Sequence, residues 1–271
     1  MDLQMQTVIQ NRLKEILMRD SEQTCPVLQT VPLFFWQNIA TWTQRILSRQ
    51  PFIIALTGAS GSGKSFIRKA LVEQLERFTE VSAFTQDNYY RDFEADFPHI
   101  PLDRFYDEVD FDDPAHIRFR HLAADLETLR NLPLGSSMRI QQFRFGTPTS
   151  KPTIIPGGRE LNVAPFIVTE GIHAFYDPAL PPLYDLKIYV DIDEATRRER
   201  WLARNREENR GTTDNMWNTS VSCLKRHILP TRPLADMVIN NQAPREQVVA
   251  FLEEIVTGLF MPGALPKQEI A

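Results

Sequence analysis

Residues Gly58-Ala59-Ser60-Gly61-Ser62-Gly63-Lys64-Ser65 follow the pattern G-x-x-x-x-G-K-[ST]. Chemistry explains that spacing. Glycines let the backbone curl until several N–H groups face inward at phosphate oxygens. A helix beginning where the loop ends adds about half a positive charge at its N-terminus. Lys64 can set a cation against β- and γ-phosphates, and Ser65 offers a hard oxygen to Mg²⁺. The residues expected to touch a nucleotide are Gly58, Ser60, Gly61, Ser62, Gly63, Lys64, Ser65 and Phe66.

Further carboxylates follow in the chain. Asp87 opens Asp87-Asn88-Tyr89-Tyr90-Arg91-Asp92; at the tip of a strand it could take the proton of an attacking hydroxyl, or it could cap a turn. In Phe111-Asp112-Asp113-Pro114, Asp113 reads as a helix cap ahead of a proline at the first helical position. Asp112 is less well explained by capping and could hold sugar hydroxyls. Glu170, before Gly171, sits where an acid can orient Mg²⁺. His173 beside it reads as a packed, hydrogen-bonded histidine. Arg197, Arg200 and Arg204, spaced i, i+3 and i+7, share one helical face. They could close over phosphates, or pair with neighbouring glutamates on a solvated face.

These groups need elements to carry them. Phe52–Thr57 is a continuous apolar run, as expected of a strand buried on both faces. A helix over roughly 64–78, a strand over 81–85 and a helix over 115–132 follow. Strands are expected over 165–169, 186–191 and 236–240, and helices over 194–209 and 246–260. Strands alternating with helices predict an α/β fold with a mostly parallel sheet and helices on both faces. The stretch 146–164 reads as an extended or hairpin insertion. Ahead of all this, residues 1–20 and 33–48 carry helical stripes, separated by Pro26 and Pro32. They either pack on the following domain or act as a dimerising or partner-binding arm. The spacing leaves both open, and with them a homo-oligomer.

Composition removes other classes. The chain has 271 residues, 42% hydrophobic and 24% charged, with a net charge of −5. It is too apolar for disorder and too acidic for nucleic acid as its main partner. Two cysteines cannot form a disulfide scaffold. A secretory leader and a run of about 20 apolar residues are both missing from the pattern, so no membrane partner and a cytoplasmic location are expected.

Taken in order, the motifs resemble the uridine kinase and phosphoribulokinase family of P-loop kinases. They are Gly58–Ser65, Asp87–Asp92, Phe111–Pro114, Thr169–Ile172, Asp185–Asp193 and Pro230–Asp236, with Glu170–Pro178 closest to the uridine kinases. The resemblance implies a P-loop NTPase-type sheet with a hairpin insertion at about 138–164 and a lid at about 194–214. It covers a kinase domain of 51–262, leaving 1–50 as a helical extension and 263–271 as a flexible tail. It implies ATP or GTP as donor, Mg²⁺ as cofactor and a small-molecule hydroxyl as acceptor. Asp87 would be the general base, with Lys64, Arg200 and Arg204 stabilising the transferred group. Ser65 and Glu170 would serve the metal. Asp87, Tyr89, Tyr90, Asp112, Phe143, Arg144 and Phe145 would contact the acceptor. The family's Tyr-x-Phe-x-x-His hairpin pattern is here Phe143-Arg144-Phe145-Gly146-Thr147-Pro148, so Pro148 replaces the histidine that reads a pyrimidine. The family's Arg-Asp pair and Glu-Arg-Gly-Arg segment become Arg204-Asn205 and Glu208-Asn209-Arg210-Gly211. A kinase of the same fold acting on a sugar phosphate or other small metabolite, met by Arg144 if anionic, is the alternative. A regulatory nucleotide-binding module is a third reading.

Overall fold

The Phe52–Thr57 run forms strand β2, buried along its whole length at the middle of the sheet. The computed structural model describes residues 27–30, 38, 41–42, 44–46, 48–147, 149–207 and 214–260. The expected helix at 1–20, the tail at 263–271, Pro148 and Arg210 lie outside them.

Eight strands are described: β1 (Leu28–Thr30), β2, β3 (Val81–Thr85), β4 (Ser137–Arg144), β5 (Thr153–Asn162), β6 (Phe166–Glu170), β7 (Leu186–Asp191) and β8 (Met237–Asn240). The main sheet has the order β1-β8-β7-β2-β6-β3, parallel throughout except for β1, which runs antiparallel to β8. The helices are α1 (Lys64–Glu76), α2 (Phe93–Asp96), α3 (Leu102–Glu108), α4 (Phe119–Asn131), α5 (Glu194–Glu207), α6 (Asp214–Cys223) and α7 (Arg245–Ile255).

Alternation along β2 sorts the core into two layers. Phe52, Ile54 and Leu56 pack with Ile67, Leu71 and Leu75 of α1 and Val248, Phe251 and Leu252 of α7. Ile53 and Ala55 face the other way, toward Leu122, Leu126 and Leu129 of α4 and Ile140, Phe143 and Leu161 of the hairpin. Each such large side chain, fully buried, contributes about 2 kcal/mol relative to exposure. Both faces of the sheet are therefore covered, which is why β2 carries no polar alternation.

The hairpin begins earlier than the prolines and glycines of 146–164 suggested. β4 and β5 pair antiparallel from Ser137↔Asn162 to Arg144↔Thr153, with a shift between Ile140 and Gln142.

The described part of the first 50 residues is tied to the sheet. Between the two prolines lies a strand, β1, pairing Leu28 with Ile239 and Thr30 with Val238. The Trp42 ring meets Phe52 edge-on at 6.4 Å. Arg45 Nε donates to the Pro51 carbonyl at 2.7 Å and pairs with Asp185 at 3.2 Å. Asn38 Nδ2 donates to Asp236 Oδ1 at 3.2 Å. Asp185 and Asp236 precede β7 and β8, so these bonds gather at the strands' N-terminal ends. The chain reverses sheet direction at β2, with β6 and β3 on one side and β7 and β8 on the other. In such a sheet, ligands bind beyond the carboxyl ends at that switch point. No helix among the described residues is long and apolar enough to cross a membrane.

Candidate active site

The phosphate loop leaves the carboxyl end of β2 and feeds α1. Its curl needs glycine: Gly61 and Gly63 have φ of 84° and 89°. A Cβ at Gly61 would also lie 3.1 Å from the Arg197 carbonyl and 3.2 Å from Trp201 Cβ, so α5 packs directly on the loop. Lys64 folds back along the loop, its Nζ donating to the carbonyls of Gly58 at 3.0 Å and Ala59 at 2.9 Å. Asn241, just after β8, donates from Nδ2 to the Ser62 carbonyl at 2.7 Å.

Parallel register brings the metal candidates together. Leu56 of β2 pairs with Glu170 of β6, placing that carboxylate beside the start of α1. Ser65 Oγ donates to Glu170 Oε2 at 3.2 Å, and Arg68 Nε donates to Oε1 at 3.1 Å.

The acids act electrostatically on Lys64. Burial pushes its ammonium below the ordinary range, while the charges of Glu170, Asp87 and Asp112 pull it back up and Arg204 pushes it down. Asp87 is half-buried at the end of β3, its N–H bonded to Thr85 Oγ1 at 3.2 Å. Asp112 is half-buried, and its carbonyl accepts from His173 Nε2 at 2.6 Å and from Cys223 Sγ at 2.9 Å. Asp113 Oδ1 accepts from the Ala115 N–H at 2.8 Å, the cap expected of it. His173 is fully buried, and burial pushes it below its ordinary value.

Arg204 and Arg200 of α5 both reach the loop. Arg204 Nη2 donates to Ser60 Oγ at 3.1 Å. The Arg200 guanidinium comes up to Gly63, and burial lowers its pKa. Phe66, in the first turn of α1, is half-buried with the Arg245 guanidinium 5.2 Å over its ring.

On the acceptor side the structure divides the expected residues. Phe143, Phe145 and Tyr90 form one aromatic group, with centroids 5.3 Å apart for Tyr90–Phe143 and 5.4 Å for Phe143–Phe145. Phe145 is 39% exposed, leaving a ring face at the surface. Tyr89 is corrected: it is fully buried and its hydroxyl donates to Asp125 Oδ2 at 2.6 Å, so it belongs to the core under α4. The Tyr90 hydroxyl is likewise committed, to the Phe111 carbonyl at 2.9 Å. Arg144 is exposed, and strand alternation turns it away from the face that Phe143 buries.

Sequence reading missed Arg68 and Asn241. The first was legible as an i+3 neighbour of Ser65 on one helical face. The second lies at the carboxyl end of a strand, the place ligand-side residues occupy in such sheets.

A nucleotide and its metal fit this site. Ser62 Oγ and Arg204 Nε are buried without a hydrogen-bond partner among the described residues. Ser65 and Glu170 form a pair of hard oxygens beside the loop, the donor type Mg²⁺ takes.

Comparison with known proteins agrees. The model of the Phosphoribulokinase / Uridine kinase family matches residues 53–248. Uridine-cytidine kinase 2-B of Danio rerio is 26% identical over 226 residues, 78% of this chain and 83% of the relative. A uridine kinase of Clostridium perfringens is 28% identical over 217 residues, 77% of this chain and 98% of the relative. Phosphoribulokinase from Rhodobacter spheroides superposes with a TM-score of 0.53 at 16% identity, over 71% of this chain and 70% of that one, a likeness of fold. The chain thus belongs to the Phosphoribulokinase / Uridine kinase family, as a P-loop kinase that transfers a phosphoryl group to a small-molecule hydroxyl.

Proposed function

We propose that the protein transfers the γ-phosphoryl group of ATP to a hydroxyl of a nucleoside-like acceptor, with Mg²⁺ held by Ser65 and Glu170. The observation carrying this reading is the Ser65–Glu170 pair at the mouth of the phosphate loop, with the charges of Glu170, Asp87 and Asp112 all acting on Lys64.

The loop amides and Lys64 hold the phosphates. Asp87 accepts the proton of the attacking hydroxyl, and Asp112 orients the acceptor's hydroxyls. Arg200 and Arg204 absorb charge that spreads over the transferred group. Bound Mg²⁺ supplies neutralisation of the β- and γ-oxygens. Positioning and preorganised charge do the rest, with no covalent enzyme intermediate. The exposed ring of Phe145, backed by Phe143 and Tyr90, offers a flat apolar face on which a base can lie. That face favours a nucleoside over a sugar phosphate, because Arg144 is turned from it.

The test is ADP release measured with a panel of acceptors. Release with uridine or cytidine is expected. Release only with a sugar phosphate or small acid would overturn the nucleoside assignment. Absence of release with every acceptor would return the chain to a nucleotide-binding module.

A further inference from the structure

Arg197 is among the largest fully buried side chains, at 1% exposure. It lies on α5 between the phosphate loop and α6. Nη1 donates to the Ser60 carbonyl and to Ser220 Oγ, both neutral oxygens, each at 3.3 Å. The guanidinium carbon sits 4.1 Å from the centre of the Trp217 ring. Nε and Nη2 are buried without a hydrogen-bond partner among the described residues. Burial pushes its pKa down, and the charges of Glu194 and Asp112 oppose this.

A cation held this way is costly. A neutral side chain of equal volume would fill the space without desolvating a charge. What methionine or leucine could not supply is the span, because Arg197 bonds the loop and α6 at once. The far end of α6 completes the connection. Trp217, Ser220 and Cys223 recur every three residues and are all buried. The first two meet Arg197, and the Cys223 thiol donates to the Asp112 carbonyl. The outward side of the nucleotide loop is thereby joined to the main chain of an acceptor-side residue through one buried helix face.

We infer that Arg197 is a positioning residue that registers α6, and through it the Asp112 segment, to the phosphate loop, so that nucleotide binding at residues 58–65 tightens the acceptor wall. The inference rests on the nucleotide reading of that loop and goes beyond it.

Hydrogen exchange of the full chain with and without ADP tests it. In the unaltered protein, ADP is expected to slow exchange at 58–65 and also in α6, the latter by at least about fivefold, the low end of ordinary site-to-site coupling. In Arg197→Met the slowing at 58–65 persists and that in α6 is lost. Equal slowing of α6 in both proteins would overturn the inference while leaving the nucleotide reading intact. No slowing at 58–65 in the unaltered protein would overturn both. Should Arg197→Met fail to fold, Trp217→Leu, which removes the ring beside Arg197 and Trp201 but leaves the bonds to Ser60 and Ser220, is expected to lose at least half of the α6 slowing. Full retention there would overturn the inference.

Discussion

The Ser65 hydroxyl and the Glu170 carboxylate meet at 3.2 Å across 105 residues of chain. Two parallel strands in register and one loop bring them there. Neither residue can reach the other by local geometry. The phosphate loop holds one half of the candidate metal site, and the sheet supplies the other.

The same sheet sets Asp87 within electrostatic reach of Lys64. Asp87→Asn is expected to lower turnover by about 10²-fold or more, the usual contribution of a positioned base. ADP affinity, measured by calorimetry, should stay within a few-fold of the unaltered protein. Unchanged turnover would remove Asp87 from the reaction.

Gly61→Ala tests the packing of α5 on the loop. At φ +84° an added methyl is strained, and the Arg197 carbonyl and Trp201 Cβ stand at 3.1 and 3.2 Å. Relief requires the loop to shift from α5. ADP binding should weaken by more than about tenfold, since a shift of that kind misdirects the phosphate-facing amides. Retained affinity would show that the curl tolerates a side chain.

Stability should fall on mild acidification. His173 donates from Nε2 to the Asp112 carbonyl, and its Nδ1 is buried without a partner among the described residues. Burial holds it neutral, below its ordinary value of 6.5, and half-buried His116 is shifted the same way. The unfolded chain protonates near 6.5; the folded chain does so only at lower pH. In that window the unfolded state binds more protons, so stability rises with pH and is lost as pH drops below about 6.5. Urea midpoints at about pH 7.5 and about pH 5.5 report the loss. His173→Gln, which keeps a donor but does not titrate, should reduce it. An unchanged pH dependence in that variant would place the loss elsewhere.

Asp185 separates stability from chemistry. Its carboxylate accepts from the Ile53 N–H at 2.8 Å and pairs with Arg45 and Arg130 at 3.2 and 3.1 Å, far from the phosphate loop at the strands' other end. Asp185→Ala leaves two largely buried guanidinium groups short of a counter-charge and one core N–H without its acceptor. The expected cost is about 3 kcal/mol or more by urea unfolding. ADP affinity at low urea should not change. A parallel loss of affinity would show that the clamp also shapes the site.

The order of motifs along the chain was enough to give the phosphate loop, the parallel α/β sheet and the family. Each of these depends on local pattern: glycine spacing, apolar runs such as Phe52–Thr57, and helical stripes. The strand at Leu186–Asp191 and the helix from Lys64 were legible for that reason. Helix α6 was not, because Asp214–Cys223 is polar and its buried stripe gains its meaning only against Arg197 and Asp112. Strand β1 is three residues long and acquires its partner far along the chain, pairing Leu28 with Ile239 of β8. Tyr89 and Tyr90 adjoin Asp87 in sequence, yet their hydroxyls are spent on Asp125 and Phe111, because the turn after β3 drives both rings into the core. Residue type and spacing state what chemistry a chain can do. Which side chains face the ligand and which hold the walls in place is decided by packing between segments far apart in sequence, where burial and charge from every neighbour act at once.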